Sequence, residues 1–241
     1  MFPFDSIDHH NISQMIICQN CGYDADKKYC ANCGQILEIK RINLPHLLHE
    51  VAHTFMHLEK GFLYTLKELA RHPGTMQKKY LSGERLRFQK PFPLFAISTT
   101  FAALALYLIY KNSASSVEDD FYHHYYFLVQ SIMLPVYAFV TYIFFFSPKL
   151  FYAEALVLNV YMVGFMSVFI IPINLLSFVL PNGTISLCEI AFLLSYNVWT
   201  YLNFFKGKAI WWVVFKSVAS IVGSYLLFNV ASRQVMHWFI H

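Results

Sequence analysis

The sequence predicts an all-α integral membrane protein with five transmembrane helices, preceded by a small cysteine module and an amphipathic interfacial helix. Two observations carry the membrane part. Apolar residues make up 57% of the chain and charged residues only 13%, against roughly a quarter charged in a soluble globule. Five apolar runs also follow residue 91, each long enough to cross about 30 Å of hydrocarbon, which takes about 20 helical residues. A third observation, two Cys-x-x-Cys pairs near the N-terminus, carries the module.

Residues 1–15 are polar and read as a disordered N-terminus with neither the basic start nor the apolar run of a signal peptide, so the head is expected in the cytoplasm. Residues 16–37 hold Cys18-x-x-Cys21 and Cys30-x-x-Cys33. Two tight pairs are metal-site spacing rather than a secreted disulfide framework. Four thiolates complete a tetrahedral shell with no open position, so the segment reads as a structural zinc ribbon. Gly22 and Gly34 follow the second cysteine of each pair, and glycine is the residue that adopts positive φ most easily. The stretch between the pairs is too short for a core, so zinc is expected to supply the folding free energy. Cys188 stands alone in an apolar run and reads as a small packing residue.

Residues 43–91 read as an amphipathic helix and a basic juxtamembrane connector. Asn43 caps and Pro45 enters the first turn; Leu44, Leu48, Val51, Phe55, Leu58, Phe62, Leu66 and Leu69 then form one stripe, predicting a single helix over 43–72. His46, His49, His53, His57 and Lys60 share the opposite face. His49-Glu50-Val51-Ala52-His53 has the spacing of a helical zinc-hydrolase signature, with Glu50 as general base and His57 as a further ligand. A second metal site on His49, His53 and His57 is thereby raised. The favoured reading is a polar face, because no acidic ligand accompanies the histidines and about 90 residues build no substrate cleft unaided. Pro73-Gly74 stops the helix. Beyond it Tyr80, Leu81, Leu86 and Phe88 are expected to dip into lipid, while Lys78, Lys79, Arg85, Arg87 and Lys90 reach headgroup phosphates.

Residues 92–231 contain the apolar segments, at about 92–110, 126–146, 151–180, 185–205 and 210–231, and residues 232–241 form a tail. Pro172 predicts a kink or tilt in the third. Lys78 to Lys90, Lys149, Lys206 and Lys208 fall in loops on one side; the alternate loops are acidic or uncharged. The positive-inside rule then puts the N-terminus in the cytosol and the C-terminus outside. Twelve of the 18 basic residues precede residue 91, with nine of the 14 acids. A mildly basic head on an apolar body points to an anionic lipid surface, not to nucleic acid. Within the spans, Asn159, Asn174, Asn197, Asn203 and Asn229 can bond between helices, and Glu154, Glu189 and Lys216 lie near span ends.

The ordered series Cys18-x-x-Cys21…Cys30-x-x-Cys33-Gly34-Gln35, His49-Glu50-x-x-His53-x-x-x-His57, Lys60-Gly61-Phe62, Thr65-x-Lys67-Glu68-Leu69, Pro73-Gly74, Tyr80-x-x-Gly83-x-Arg85 and Lys90-Pro91 resembles an uncharacterised bacterial membrane family, a domain of unknown function that joins an N-terminal zinc ribbon to about five apolar spans. Glu84 departs from its pattern, where a lysine is expected. The resemblance implies membrane location and zinc binding and assigns no reaction. The resulting expectation is a non-enzymatic scaffold or adaptor in a bacterial inner membrane, with one structural zinc, the lipid bilayer as partner and a protein partner through the ribbon. The alternatives are an integral-membrane metal-dependent hydrolase using the histidine helix, or a small-solute or metal transporter.

Overall fold

The computed structural model describes residues 16–25, 28–37, 61–111, 125–146 and 150–240. The histidine helix, with His49, Glu50, His53 and His57, lies outside the described residues, as do residues 1–15 and Lys149. Two short strands come first, β1 (Ile16–Ile17) and β2 (Asp24–Ala25), paired antiparallel with Ile16 opposite Ala25. Among the described residues, seven α-helices follow: α1 (Phe62–Arg71), α2 (Thr75–Ser82), α3 (Pro91–Tyr110), α4 (Tyr126–Phe144), α5 (Tyr152–Leu175), α6 (Asn182–Phe204) and α7 (Ile210–Ile240).

Five helices, α3 to α7, are long and apolar enough to cross a membrane, which suggests a multi-pass membrane protein. Their apolar side chains point both inward and outward, as lipid on one side and neighbouring helices on the other require. The innermost is α5, where Ala155, Val157, Leu158, Val160 and Tyr161 are fully buried. Gly164 lets α3 approach it: a Cβ there would come within 2.6 Å of Leu94 Cδ2 and 3.2 Å of Phe95 Cα. α5 runs through Pro172 and loosens into a 3₁₀ turn at Leu176–Phe178. α4 carries a second internal proline, Pro135. α7 runs past the apolar span as far as Ile240, so helix continues through the segment read as a tail.

Polar groups join the helices inside this apolar frame. Asn159 Nδ2 donates to Thr141 Oγ1 at 3.1 Å, and Thr141 Oγ1 lies 2.9 Å from Tyr201 Oη, tying α5, α4 and α6 together. Tyr110 Oη donates to Asn174 Oδ1 at 2.7 Å, and Asn174 Nδ2 donates to Glu189. Glu154 caps α5 by accepting the Phe151 N–H, and the Lys216 ammonium lies over the Trp212 ring. Cys188 is exposed on α6 rather than packed between helices.

The segment before α3 departs from the expected single helix. Gly61, at φ 141°, caps the helix that starts at Phe62 and is itself not helical, so the helix expected over 43–72 does not run through position 61. The chain turns there because Gly61 lies against the connector: a Cβ would stand 3.1 Å from the Arg87 carbonyl oxygen. After α1, Gly74 (φ 77°) folds α2 back, its N–H donating to Gln77 Oε1 at 2.6 Å. The hairpin packs on the spans through Leu69, Met76, Tyr80 and Phe88, all buried in the main core. Tyr80 and Phe88 therefore face protein, not lipid. Tyr80 meets Tyr161 edge to face at 5.4 Å, and Tyr161 Oη donates to the Gln89 carbonyl. Leu86, by contrast, is exposed.

Candidate metal centre

Twelve residues separate each position of the first cysteine pair from its counterpart in the second, and the backbone repeats with the same period. The Cys18 N–H donates to the Tyr23 carbonyl at 2.9 Å and the Cys30 N–H to the Gln35 carbonyl at 2.8 Å. The Gly22 N–H closes a turn on the Cys18 carbonyl, and the Gly34 N–H on that of Cys30, both at 2.8 Å. Gly22 and Gly34 take φ 74° and 76°, a left-handed conformation that a side chain would strain. Ile17 and Asp24 pair in the first half, and Tyr29 and Ile36 form the matching antiparallel bridge in the second. Two copies of one turn thus face each other with four sulfurs between them.

Cys18 Sγ lies 3.6 Å from Cys33 Sγ, and Cys21 Sγ lies 3.6 Å from Cys30 Sγ; all four sulfurs are within 4.8 Å of one another. A tetrahedral ion at about 2.3 Å from each sulfur sets neighbouring sulfurs about 3.8 Å apart, so the cluster could hold one metal ion with little adjustment. Its donor set is closed, leaving no position for substrate or water.

The electrostatics favour the same use. The Tyr23 N–H aimed at Cys21 Sγ lowers that thiol to about 6, and such amides are the stabilisers a bound thiolate needs. Burial pushes Cys30 up to about 11 against the amides of Cys33 and Asn32; a cation in the cluster is what makes its thiolate tolerable there. Among the described residues, the module's core holds besides the sulfurs only Ala25 and Leu37, too little apolar area to fold so short a segment.

Gln35 continues the second turn and joins the module to the helices. Its Nε2 donates to the Gly83 carbonyl, at the end of α2, at 2.7 Å, and the side chain is buried. No role for Gln35 follows from the cysteine spacing; the one available signal was a polar residue directly after Cys-Gly.

The proposed headgroup residues lie on the same side as the module. Lys78, Lys79, Arg87 and Lys90 are exposed around the hairpin and its connector. Arg85 is half-buried, stacked over Tyr80 with its Nε on the Tyr80 carbonyl. Lys206 and Lys208, between α6 and α7, share that side, since Gly74 abuts Thr200, Asn203 and Phe204 at the end of α6.

No curated protein and no solved structure matches the chain. Residues 59–103, which hold the α1–α2 hairpin, its connector and most of α3, are similar to a family described as a protein of unknown function, DUF3667.

Proposed function

We propose that this chain is a non-enzymatic scaffold or adaptor of a bacterial inner membrane, with a structural zinc ribbon displayed on the cytosolic face. The observation that carries the reading is the closed four-sulfur cluster fixed to the helices through Gln35 and Gly83. A metal without an open coordination position shapes a surface; it does not activate water. Zinc suits four thiolates in a tetrahedral arrangement. The basic residues from Lys78 to Lys90, with Lys206 and Lys208, supply the cytosolic assignment through the positive-inside rule, and Lys78, Lys79, Arg85, Arg87 and Lys90 then lie within reach of lipid phosphates.

Affinity capture with the full chain in detergent, compared with a Cys18→Ser, Cys21→Ser double variant, tests the adaptor role. The ribbon-dependent partner is recovered by the native chain and lost from the variant. Equal recovery by both removes the ribbon from that role.

A further inference from the structure

Among the described residues, nothing fully covers the Ile16–Ile17 edge of the cysteine module. Ile16 and Ile17 of β1 are 41% and 61% exposed, although the sheet beside them is already paired. They do not face open water on all sides. Ile16, Ile17, Gln19 and Leu37 form one wall of a groove whose other wall is Leu81 and Ser82, at the end of α2, with Glu154 of α5.

Glu154 fixes the depth of that groove. It stands two residues inside α5, about 3 Å below the helix start, and α5 opens an apolar span at Tyr152. The polar zone flanking the hydrocarbon is about 5–8 Å thick on each side. A groove that includes the first turn of a span therefore opens into this zone, with Ile16, Ile17, Leu37 and Leu81 as its apolar lining. The tie from Gln35 to Gly83 keeps β1 at this level. Charge agrees: Lys28 on the module and Lys78, Lys79 and Arg87 around it are exposed, cations suited to the phosphates that bound such a zone.

We propose that the Ile16–Ile17 edge is seated in the membrane interface, with phospholipid filling the groove between β1 and the start of α5. This rests on the reading of the cysteine module as a folded ribbon beside five spans, and it makes the bilayer itself the ribbon's nearest partner. The metal then shapes a small wedge that rests on lipid with Ile17 foremost, and the rest of the ribbon faces the aqueous side.

The test uses the full chain with Ile17→Trp, reconstituted in phosphatidylcholine–phosphatidylglycerol vesicles. The lipid is either plain or brominated on the acyl chains, close to the headgroup or near the chain end. Native-sequence protein gives the background of the four existing tryptophans. The added fluorescence is expected to be blue-shifted and quenched more strongly by headgroup-proximal bromine than by chain-end bromine. Water-like emission that neither lipid quenches overturns the proposal. So does blue-shifted emission untouched by bromine, which means protein covers the edge instead. Zinc per chain on the same samples reports whether the ribbon is folded, so failure of the ribbon reading is distinguishable from failure of its seating. Ile16→Trp is the second variant if Ile17→Trp loses metal.

Discussion

Gln35 and Gly83, 48 positions apart in the chain, share a buried 2.7 Å hydrogen bond that fastens the cysteine module to the end of α2. The module's own turn delivers Gln35, because its carbonyl already accepts the Cys30 N–H. Whatever fixes the sulfurs therefore also fixes the strap. Gln35→Ala should keep one metal per chain while loosening the module from the hairpin. The loss is about 1 kcal/mol, the usual net value of such a bond. Hydrogen exchange checks this: the amides of residues 81–84 should exchange several-fold faster with those around the cysteines unchanged. Gln35→Glu, which sets a carboxylate against a carbonyl oxygen, should be worse than alanine. Unaltered exchange in both variants would show the strap to be dispensable.

The spans and the four cysteines were legible in the sequence because each obeys a constraint no context relaxes. An apolar run of about 20 residues has to satisfy its own backbone, and so becomes a helix; paired Cys-x-x-Cys units have few other uses. The hairpin was only half legible. The stripe containing Phe62, Leu66 and Leu69 announces an apolar face, but lipid and a helix bundle are equally apolar neighbours. Periodicity alone could not say that Tyr80 and Phe88 turn toward Tyr161 and the core. The start of α1 at Gly61 was hidden for a related reason: the apolar stripe of the sequence continues across it, and the glycine is needed for a contact with residue 87, far along the chain.

Gly74 makes the sharpest test of how that hairpin sits. Its φ of 77° excludes ordinary side chains, and a Cβ would come within 2.6 Å of the Phe204 nitrogen and 2.9 Å of Asn203 Cβ. Gly74→Ala should cost about 1–3 kcal/mol, combining backbone strain with displacement from α6. Gly183, with nothing within 4 Å of its added Cβ and no positive φ, is the control. Thermal unfolding in detergent should show a clear drop for Gly74→Ala and little change for Gly183→Ala. Equal curves would mean the hairpin does not bear on α6.

Acid should strip the metal before it disturbs the spans. The Cys21 thiol is lowered to about 6 in the folded module, chiefly by the Tyr23 amide. A depressed acid stabilises the fold above its unfolded value, 9.0 here, and that contribution is lost as pH falls through about 6. Protons also compete with a metal for the thiolates that bind it. Metal retention against a fixed chelator should therefore fall steeply between pH 7 and about 5, while far-ultraviolet helicity of the spans holds. Retention that is flat across this range would argue against thiolate ligation.

The count of zinc ions per chain decides how far the metal chemistry extends. His49, His53 and His57 recur every four residues, a spacing that sets them one above another wherever the segment is helical. Two arguments favour a polar face over a second site: no carboxylate beyond Glu50 stands out as a ligand for the three, and the four cysteines could hold one ion by themselves. Detergent-purified protein should therefore carry one zinc per chain, and His49→Ala should carry the same. Cys18→Ser should carry none, because a three-thiolate remnant has little to fold around in a module whose other core residues, among those described, are Ala25 and Leu37. Two ions in the native chain, falling to one in His49→Ala, would make the histidine row a metal site in its own right. Glu50 would then stand beside a metal with open coordination positions, and a hydrolytic reaction would become the leading reading of the chain.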